Sequence, residues 1–374
     1  MYSLYADEDS YFGETSVDIN DPICYNYLNS KVLKTEIFMQ YKEDIFDTKE
    51  YKGQYAEGLL ELISQREKLA ADKREEYIRD IFTSPEKYRA ELKRMLGYPL
   101  ADMTESREAP QYSSELLSRE DGYILYRMRF EVLDGLVMTG LYFEAEGEEK
   151  RPLVIVQHGG QGTPELMSGV YGSTTNYNDM LQRVRRQGVH VFAPQLLLWH
   201  DKYGVPYDRR SLDARLKRVG SSIAAVEIYG IIRVLDYFEK HDRVSCLGML
   251  GMSYGGFYTL FTSAIDTRIK SALSCSFFNV RQNIAWSDWT WLSSAESFND
   301  AEVACLVYPR RLYLAMGERD ELFSCDGCEK EFERLRQLCR EVGTDWVSLY
   351  TYDGKHEFFR DDGEIERFIQ SFNS

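Results

Sequence analysis

The stretch Gly251-Met252-Ser253-Tyr254-Gly255 decides the fold of this chain. It stands between two apolar runs, residues 246–250 and 257–261, which read as a buried strand and the start of a helix. A strand that turns into a helix through G-x-S-x-G holds its serine at a strained tight turn, with the hydroxyl above the edge of the sheet. Both glycines leave room that a Cβ would fill. The pattern predicts Ser253 as a nucleophile and the Tyr254 N–H, in the first turn of the helix, as an oxyanion donor.

Composition restricts the classes of partner. The 374 residues carry a formal net charge of −16, which argues against nucleic acid and against anionic membranes as binding partners. The first residues are acidic and lack an apolar run, so we expect no secretory signal. No stretch has the length and apolar character of a membrane-spanning helix. Seven cysteines, an odd number, are typical of reduced thiols, and the predicted location is the cytoplasm.

Residues 1–118 differ from the rest of the chain. They are rich in tyrosine and acids, and between residues 55 and 96 apolar residues such as Leu59, Ile63 and Leu69 have helical spacing. Ser84 followed by Pro85 is typical of a helix start. This pattern predicts a helical cap or brace on the following domain. The alternative is an oligomerisation arm, which would make the protein a homo-oligomer.

Residues 119–374 alternate between strand and helix patterns. Two alternating runs flank Asp134-Gly135, a hairpin signal, and residues 152–156 form a continuous apolar run typical of a strand buried on both faces. Residues 221–240 repeat apolar side chains at helical spacing after Ser221 and Ser222, either of which could cap the helix. The predicted fold class is α/β, with a mostly parallel sheet covered by helices on both faces.

A serine nucleophile needs a base and a group that orients the base. On such a sheet the order in the chain is serine, acid, histidine. Only His356 follows Ser253 among the histidines, and it comes directly after the last predicted strand. The segment Gly317-Glu318-Arg319-Asp320 follows the preceding strand, and we predict Asp320 as the acid.

The second oxyanion donor is expected in the loop after residues 152–156, which reads His158-Gly159-Gly160-Gln161-Gly162. Gly160 is the first candidate for this N–H and Gln161 the second. His158 is assigned to the substrate pocket region, where we expect it to stabilise the loop through hydrogen bonds rather than act as a base. The loop lacks the glycine spacing and the lysine of phosphate-binding motifs, so no nucleotide is predicted.

Tryptophans mark the predicted pocket walls. Trp199 follows one strand, and Trp286, Trp289 and Trp291 fall in an insertion at about 279–303. They predict an aromatic lid over Ser253, or equally a loop packed on itself as core. Cys325 and Cys328 are spaced like a metal or redox pair, but no further ligands are evident nearby. We therefore predict no metal and no cofactor.

From about residue 120 onward the sequence resembles the α/β-hydrolase superfamily. The similar segments are those around Ser253, His158, Asp320 and His356, and within the superfamily they are most similar to the dienelactone hydrolase and acetyl xylan esterase-like branch. The resemblance implies a serine carboxylesterase that acts on a small-molecule ester through an acyl-enzyme. Crowding by the cap and lid favours short, acetyl-type acyl groups. The alternatives are a serine peptidase like prolyl oligopeptidase and a non-catalytic binding protein that keeps the fold.

Overall fold

A computed structural model of the chain describes residues 41, 46–104, 107–198, 205–284 and 286–373. Two units are distinguished, residues 1–62 and residues 63–374. The described part of the first unit is chiefly the beginning of a long helix, whose side chains there are exposed. The second unit contains the sheet. Within the described residues, no helix combines the length and the apolar character needed to cross a membrane.

The second unit is built on nine strands. Their bounds are β1 Tyr112–Glu120, β2 Tyr123–Leu133, β3 Leu136–Ala145, β4 Arg151–Gln157, β5 His190–Pro194, β6 Val244–Met252, β7 Ile269–Cys275, β8 Arg311–Gly317 and β9 Val347–Tyr352. The described helices are α1 Asp47–Tyr77, α2 Pro85–Leu96, α3 Pro164–Ser168, α4 Met180–Arg185, α5 Arg209–Lys217, α6 Ile223–Phe238, α7 Tyr254–Ile265, α8 Asp300–Cys305, α9 Cys325–Leu338 and α10 Gly363–Gln370.

All nine strands form one sheet in the order β1-β2-β3-β5-β4-β6-β7-β8-β9. Strands β1 to β3 are antiparallel, and from β5 to β9 every pair of neighbours is parallel. The hairpin predicted at Asp134-Gly135 joins β2 to β3, where Gly135 has the positive φ of +72° that the turn requires. The carboxyl ends of the parallel strands share one edge of the sheet, which is where the candidate site lies.

Helices cover both faces of the sheet, as the continuous apolar runs predicted. Along β4, Leu153 and Ile155 pack into one apolar cluster, together with residues of α6 and α7. Val154 and Val156 point the other way, into a cluster with residues of α4 and α10. This alternation is the period of two expected of a strand buried on both sides. The predicted α/β fold class is confirmed.

The region before β2 contains both helix and strand. Strand β1 begins at Tyr112, inside the segment 1–118 that composition marks as helical. Leu59, Ile63 and Leu69 are exposed on α1, so the apolar face predicted there does not enter the core. The helix becomes buried only near its end, at Ala70 and Arg74.

Helix α2 is fixed to the sheet-containing part of the second unit through Arg89. This buried side chain donates from Nε to the carbonyl of Ala264 at 3.0 Å and from Nη2 to that of Leu306 at 2.8 Å. The end of α1 is held by ion pairs, Lys73 with Glu296 at 2.8 Å and Arg74 with the buried Glu302 at 3.3 Å. These contacts join residues 63–96 to helices α7 and α8 and to the loop before α8.

Candidate active site

Ser253 is the single residue that connects β6 to α7. Its backbone has φ +58° and ψ −120°. Residues other than glycine seldom adopt a positive φ, and such a strained conformation costs about 1–3 kcal/mol. Its N–H donates to the Cys275 carbonyl of the next strand at 2.8 Å. A Cβ on Gly251 would lie 2.3 Å from the Gly255 oxygen, and one on Gly255 would lie 2.1 Å from the Gln157 oxygen. The surrounding backbone therefore holds the strained turn in place, and it tolerates only glycine at these two positions.

Asp320 and His356 form a hydrogen-bonded pair. Oδ2 of Asp320 lies 2.8 Å from Nδ1 of His356. Oδ1 of the same carboxylate accepts the N–H groups of Leu322 and Phe323, each at 2.9 Å. The Asp320 side chain is fully buried, whereas that of His356 is 15% exposed. Because a carboxylate only accepts, Nδ1 carries the proton and Nε2 of His356 is left as the acceptor.

Sheet topology brings the predicted triad to one edge. Ser253 follows β6, Asp320 follows β8 and His356 follows β9, and β6 to β9 are consecutive parallel neighbours. The loop with His158 and Gly160 follows β4, the neighbour of β6 on the other side. All four predicted segments therefore end at the same edge of the sheet.

Asn176 and Tyr177 connect these segments, and sequence reasoning missed both. Asn176 donates from Nδ2 to the His356 carbonyl at 3.1 Å, and its own carbonyl accepts the Phe358 N–H at 2.8 Å. The neighbouring Tyr177 hydroxyl accepts the Gly159 N–H at 2.8 Å. These contacts tie the histidine loop to the oxyanion loop. Their chain positions carry no motif that could have revealed them.

The oxyanion loop presents backbone N–H groups beside Ser253. A Cβ on Gly159 would lie 3.1 Å from the Ser253 Cβ, so this loop closely approaches the nucleophile turn. The Gly159 N–H is already used by Tyr177. Among the described residues, the N–H groups of Gly160 and Gln161 have no hydrogen-bond partner. These two N–H groups are therefore candidate oxyanion donors, and the Tyr254 N–H predicted as the other donor stands at the start of α7, directly after Ser253.

His158 lies beneath this loop and is fully buried. Its Nδ1 donates to the Gly159 carbonyl at 2.9 Å, and its Nε2 accepts the Leu196 N–H at 3.3 Å. Burial lowers the pKa of His158 to about 4, so the ring is neutral at physiological pH. Both ring nitrogens are thus occupied in holding the loop, and the ring does not line an open pocket.

The tryptophans of the 279–303 loop have different environments. Trp286 is half-buried and stacks on Tyr254 at 5.6 Å between ring centroids, and it lies 5.5 Å from Phe323. Phe323 in turn lies 5.7 Å from the His356 ring. Trp289 is only 1% exposed and packs in the core against Tyr254 at 4.3 Å. Trp289 also contacts Phe323, at 6.1 Å, so both tryptophans are linked to His356 through Phe323, but only Trp286 is partly exposed.

The two remaining pocket candidates are Trp291 and Trp199. Trp291 is half-buried and stacks on Phe257 at 6.3 Å. Trp199 lies outside the described residues.

A buried charge network, also missed from the sequence, lies behind Tyr254. Arg209 donates from Nε to Asp288 at 2.8 Å, from Nη1 to Glu227 at 2.9 Å and from Nη2 to the Tyr258 hydroxyl at 2.7 Å. The Tyr254 hydroxyl donates to the same Asp288 oxygen at 2.9 Å. Burial lowers the pKa of Arg209, but Glu227 and Asp288 outweigh burial and hold this pKa well above its usual range. The network fixes the tryptophan loop against α6 and α7.

Within the described residues, no group of three or more His, Cys, Asp or Glu side chains is placed to hold a metal ion. Cys325 and Cys328 lie at the start of α9, where Cys325 is half-buried and Cys328 is buried, and both are free thiols.

The chain is similar to one hydrolase in sequence and to several esterases in structure. No protein-family model matches the chain. A Bacillus subtilis (strain 168) protein described as "Putative hydrolase YtaP" is 27% identical over 260 residues, which cover 65% of this chain and 85% of that protein. Among solved structures, a "putative acetyl xylan esterase" of Bacteroides fragilis has a TM-score of 0.59 at 17% identity and covers 71% of this chain and 74% of its own. A glucuronoyl esterase from Solibacter usitatus has a TM-score of 0.57 at 15% identity, with coverage of 78% and 93%.

This chain has the α/β-hydrolase fold. The resemblance predicted from the sequence is thereby confirmed at the level of the fold. In this fold the nucleophile, acid and histidine occur in the chain order that Ser253, Asp320 and His356 follow. Their catalytic roles stay predictions.

Proposed function

We propose that the chain is a serine hydrolase that cleaves small carboxylic esters through an acyl-enzyme on Ser253. The observation that carries this proposal is the 2.8 Å contact between Asp320 and His356, at the same sheet edge as the strained Ser253 turn. The names of the similar proteins, a hydrolase and several esterases, support the same reaction class.

The proposed reaction has two halves. Nε2 of His356 takes the proton of the Ser253 hydroxyl as Oγ attacks the ester carbonyl. The negative charge that develops on the carbonyl oxygen is stabilised by the N–H of Tyr254 and by that of Gly160 or Gln161. His356 then gives its proton to the departing alkoxide, which leaves the acyl group on Ser253. Water, deprotonated by His356, attacks this ester, and the carboxylic acid and free serine are formed.

Asp320 orients the base. Its Oδ1 is fixed by two backbone N–H groups, so Oδ2 is directed at Nδ1 of His356. This contact selects the tautomer with Nε2 unprotonated, and it stabilises the imidazolium that forms in each half reaction.

We propose short acyl groups, of the acetyl type, as the preferred substrates. Trp286, Tyr254 and Phe323 form a contiguous aromatic wall that ends at His356. Large rings in such a wall leave little space for a long acyl chain. The end of α1 together with α2 is proposed as a brace, since Arg74 and Arg89 join these helices to α7 and α8. The six described cysteines are free thiols, which supports a reducing compartment such as the cytoplasm.

The test is turnover of acetyl, butyryl, octanoyl and palmitoyl p-nitrophenyl esters by the wild type and by Ser253→Ala. We expect kcat/KM to fall from acetyl to palmitoyl. We expect the alanine variant to retain only the roughly 10³–10⁴-fold acceleration over water that binding and the oxyanion donors provide. A preference for palmitoyl would indicate a lipase. Faster cleavage of a prolyl-amide peptide would indicate a peptidase. A folded wild type that turns over no ester would favour a binding protein.

A further inference from the structure

A cavity of about 700 Å³ lies beside the candidate active site and is separate from it. Its walls come from the β2–β3 hairpin, the segment after β5, helix α5 and the start of α6. The principal apolar lining residues are Val132, Met138, Leu196, Leu212, Leu216 and Val226. None of the described residues that line it is Ser253, Asp320 or His356. A volume of this size is within the range of about 300–1,000 Å³ found for small-molecule sites.

Sheet topology explains why a cavity forms here. Strand β3 runs antiparallel to β5, with Gly140 opposite Pro194, so the hairpin end of β3 stands beside the carboxyl end of β5. Gln195 donates its N–H to the Thr139 carbonyl at 2.8 Å, which fixes the segment after β5 against the hairpin. Helices α5 and α6 close the other side. The cavity is therefore framed by the hairpin and by two helices, and it opens to solvent at exposed lining residues such as Val137 and Val219.

The charged residues at the cavity differ in whether their side chains form ion pairs. Arg215 and Arg218 line the cavity, and both are exposed. Neither guanidinium group has an ion pair or hydrogen bond with any described residue. Lys217, between them in the chain, pairs with Asp213 at 2.7 Å. Within the described residues, nothing therefore competes with an anion for these two guanidinium groups in a chain of net charge −16.

Glu227 is the acid among the described lining residues, and its carboxylate does not pair with Arg215 or Arg218. Both oxygens of Glu227 accept from Nη1 of Arg209, at 3.0 and 2.9 Å. Oε1 also accepts the Leu197 N–H at 2.9 Å, and Oε2 accepts the Tyr258 hydroxyl. The hydrogen-bonding capacity of this carboxylate is thus taken up within the protein, and among the described lining residues the two arginines outnumber the one acid.

We propose that this cavity binds an amphipathic anion, an aliphatic carboxylate. Its alkyl chain would lie between the apolar side chains of the hairpin, α5 and α6. Its carboxylate would accept hydrogen bonds from Arg215 and Arg218. Burial of the alkyl chain supplies most of the affinity, and the guanidinium groups select the anion over a neutral alcohol. This inference goes beyond the proposed esterase function and does not depend on it.

The experiment is isothermal titration calorimetry of the full chain with sodium octanoate, sodium dodecanoate and 1-octanol, below the micellar concentration of each. We expect one site, tighter binding of dodecanoate than of octanoate, and weaker binding of 1-octanol than of octanoate. The double variant Arg215→Gln/Arg218→Gln should weaken octanoate binding about tenfold or more, because two charge-assisted contacts are lost. Val226→Trp, which fills the cavity, should remove binding.

The matched control is Lys330→Gln/Arg336→Gln, which removes two positive charges from exposed positions on α9 and should bind like the wild type. Far-ultraviolet circular dichroism and thermal unfolding of each variant establish that it is folded. The proposal is overturned if the wild type binds no carboxylate. It is also overturned if the arginine variant and Val226→Trp bind as the wild type does, or if 1-octanol binds as tightly as octanoate. Ser253 is unchanged throughout, so these outcomes are independent of the proposed reaction.

Discussion

The Asp320 carboxylate lies 2.8 Å from Nδ1 of His356, although the two residues are 36 positions apart in the chain. Strands β8 and β9 are paired from Leu312–Val347 to Gly317–Tyr352, and both loops leave the sheet at its carboxyl edge. The loops are also bonded to each other, since the Arg319 N–H donates to the Gly354 carbonyl at 2.9 Å. Backbone hydrogen bonds, within the strands and between the loops, therefore hold Asp320 and His356 together.

Asp320→Asn is expected to lower kcat by up to about 10⁴-fold, as loss of the correct histidine tautomer does in serine hydrolases. Oδ1 of Asp320 accepts two backbone N–H groups, so an asparagine would keep its oxygen there and turn its NH₂ toward His356. Nδ1 would then have to accept, and the proton would move to Nε2, the atom that the proposed mechanism needs as the acceptor of the serine proton. Steady-state kinetics with p-nitrophenyl acetate measure the effect.

The controls for that variant are Glu318→Gln and Asp353→Asn. Both side chains are exposed, and Asp353 pairs only with the exposed Arg319 at 2.6 Å. Exposed ion pairs contribute little, so we expect both variants to stay near wild-type kcat. A large loss in Asp353→Asn together with a small one in Asp320→Asn would show that the acid has been assigned to the wrong residue.

Gly255→Ala is expected to lower the free energy of unfolding by about 3 kcal/mol or more, because its Cβ would lie 2.1 Å from the Gln157 oxygen and the backbone would have to move. The matched control is Gly58→Ala on α1, where a Cβ meets nothing within 4 Å. That change should stabilise the helix by roughly 0.5–1 kcal/mol. Urea unfolding gives both values. A Gly255→Ala protein as stable as the wild type would mean that the nucleophile turn is looser than described.

The turn around Ser253 and the type of sheet are both predictable from the sequence. The G-x-S-x-G segment and the apolar strand before it are local signals, and they were sufficient to predict the strand–turn–helix around Ser253. The order of strands and helices gave the sheet type in the same way. Asp320 and His356 are predicted as the acid and the base because the fold fixes their order in the chain.

Other parts of the structure had no local signal. Strand β1 is exposed at almost every position, so it lacks the alternation that marks a half-buried strand. Asn176 contacts the His356 loop 180 residues away, and Arg209 reaches Asp288 79 residues away. Such pairs are brought together only by the assembled sheet and its loops. Asparagine, arginine and aspartate are also common residues, so their presence in the sequence does not mark a contact.

Trp286→Ala is expected to widen the acyl preference. The indole stacks on Tyr254 and lies edge-on to Phe323 beside His356, so its removal opens space for a longer chain. We expect the ratio of kcat/KM for octanoyl to acetyl esters to rise about tenfold or more. Trp291→Ala is the control, since Trp291 packs against Phe257 and Phe261 instead. An unchanged ratio in Trp286→Ala would place the acyl pocket elsewhere.

Glu331→Gln is expected to change how stability depends on pH. Burial raises the pKa of Glu331 from 4.5 to about 8, and the neighbouring Asp300 and Glu302 add to this shift. Between about pH 4.5 and 8 the unfolded chain has lost the proton that the folded protein retains. The wild type therefore loses stability relative to the glutamine variant as pH rises, by at most about 1.4 kcal/mol per pH unit, and the loss ends above pH 8.

Urea unfolding of both proteins from pH 5 to 9 measures that difference. Glu333→Gln is the control on the same helix, because Glu333 is exposed, and its difference from the wild type should not vary with pH. A pH-independent difference between wild type and Glu331→Gln would show that Glu331 is ionised in the folded protein over the whole range.

The most direct test of the central claim is the intact mass of the protein after treatment with a fluorophosphonate. The claim is that Ser253, in its strained turn at the same sheet edge as His356, is a nucleophile. We predict that the wild type gains the mass of one phosphonyl group, that peptide mapping places this group on Ser253, and that Asp320→Asn is labelled more slowly. Ser253→Ala, folded by circular dichroism, should gain no mass. Equal labelling of wild type and Ser253→Ala, or no labelling of a folded wild type, would contradict the account.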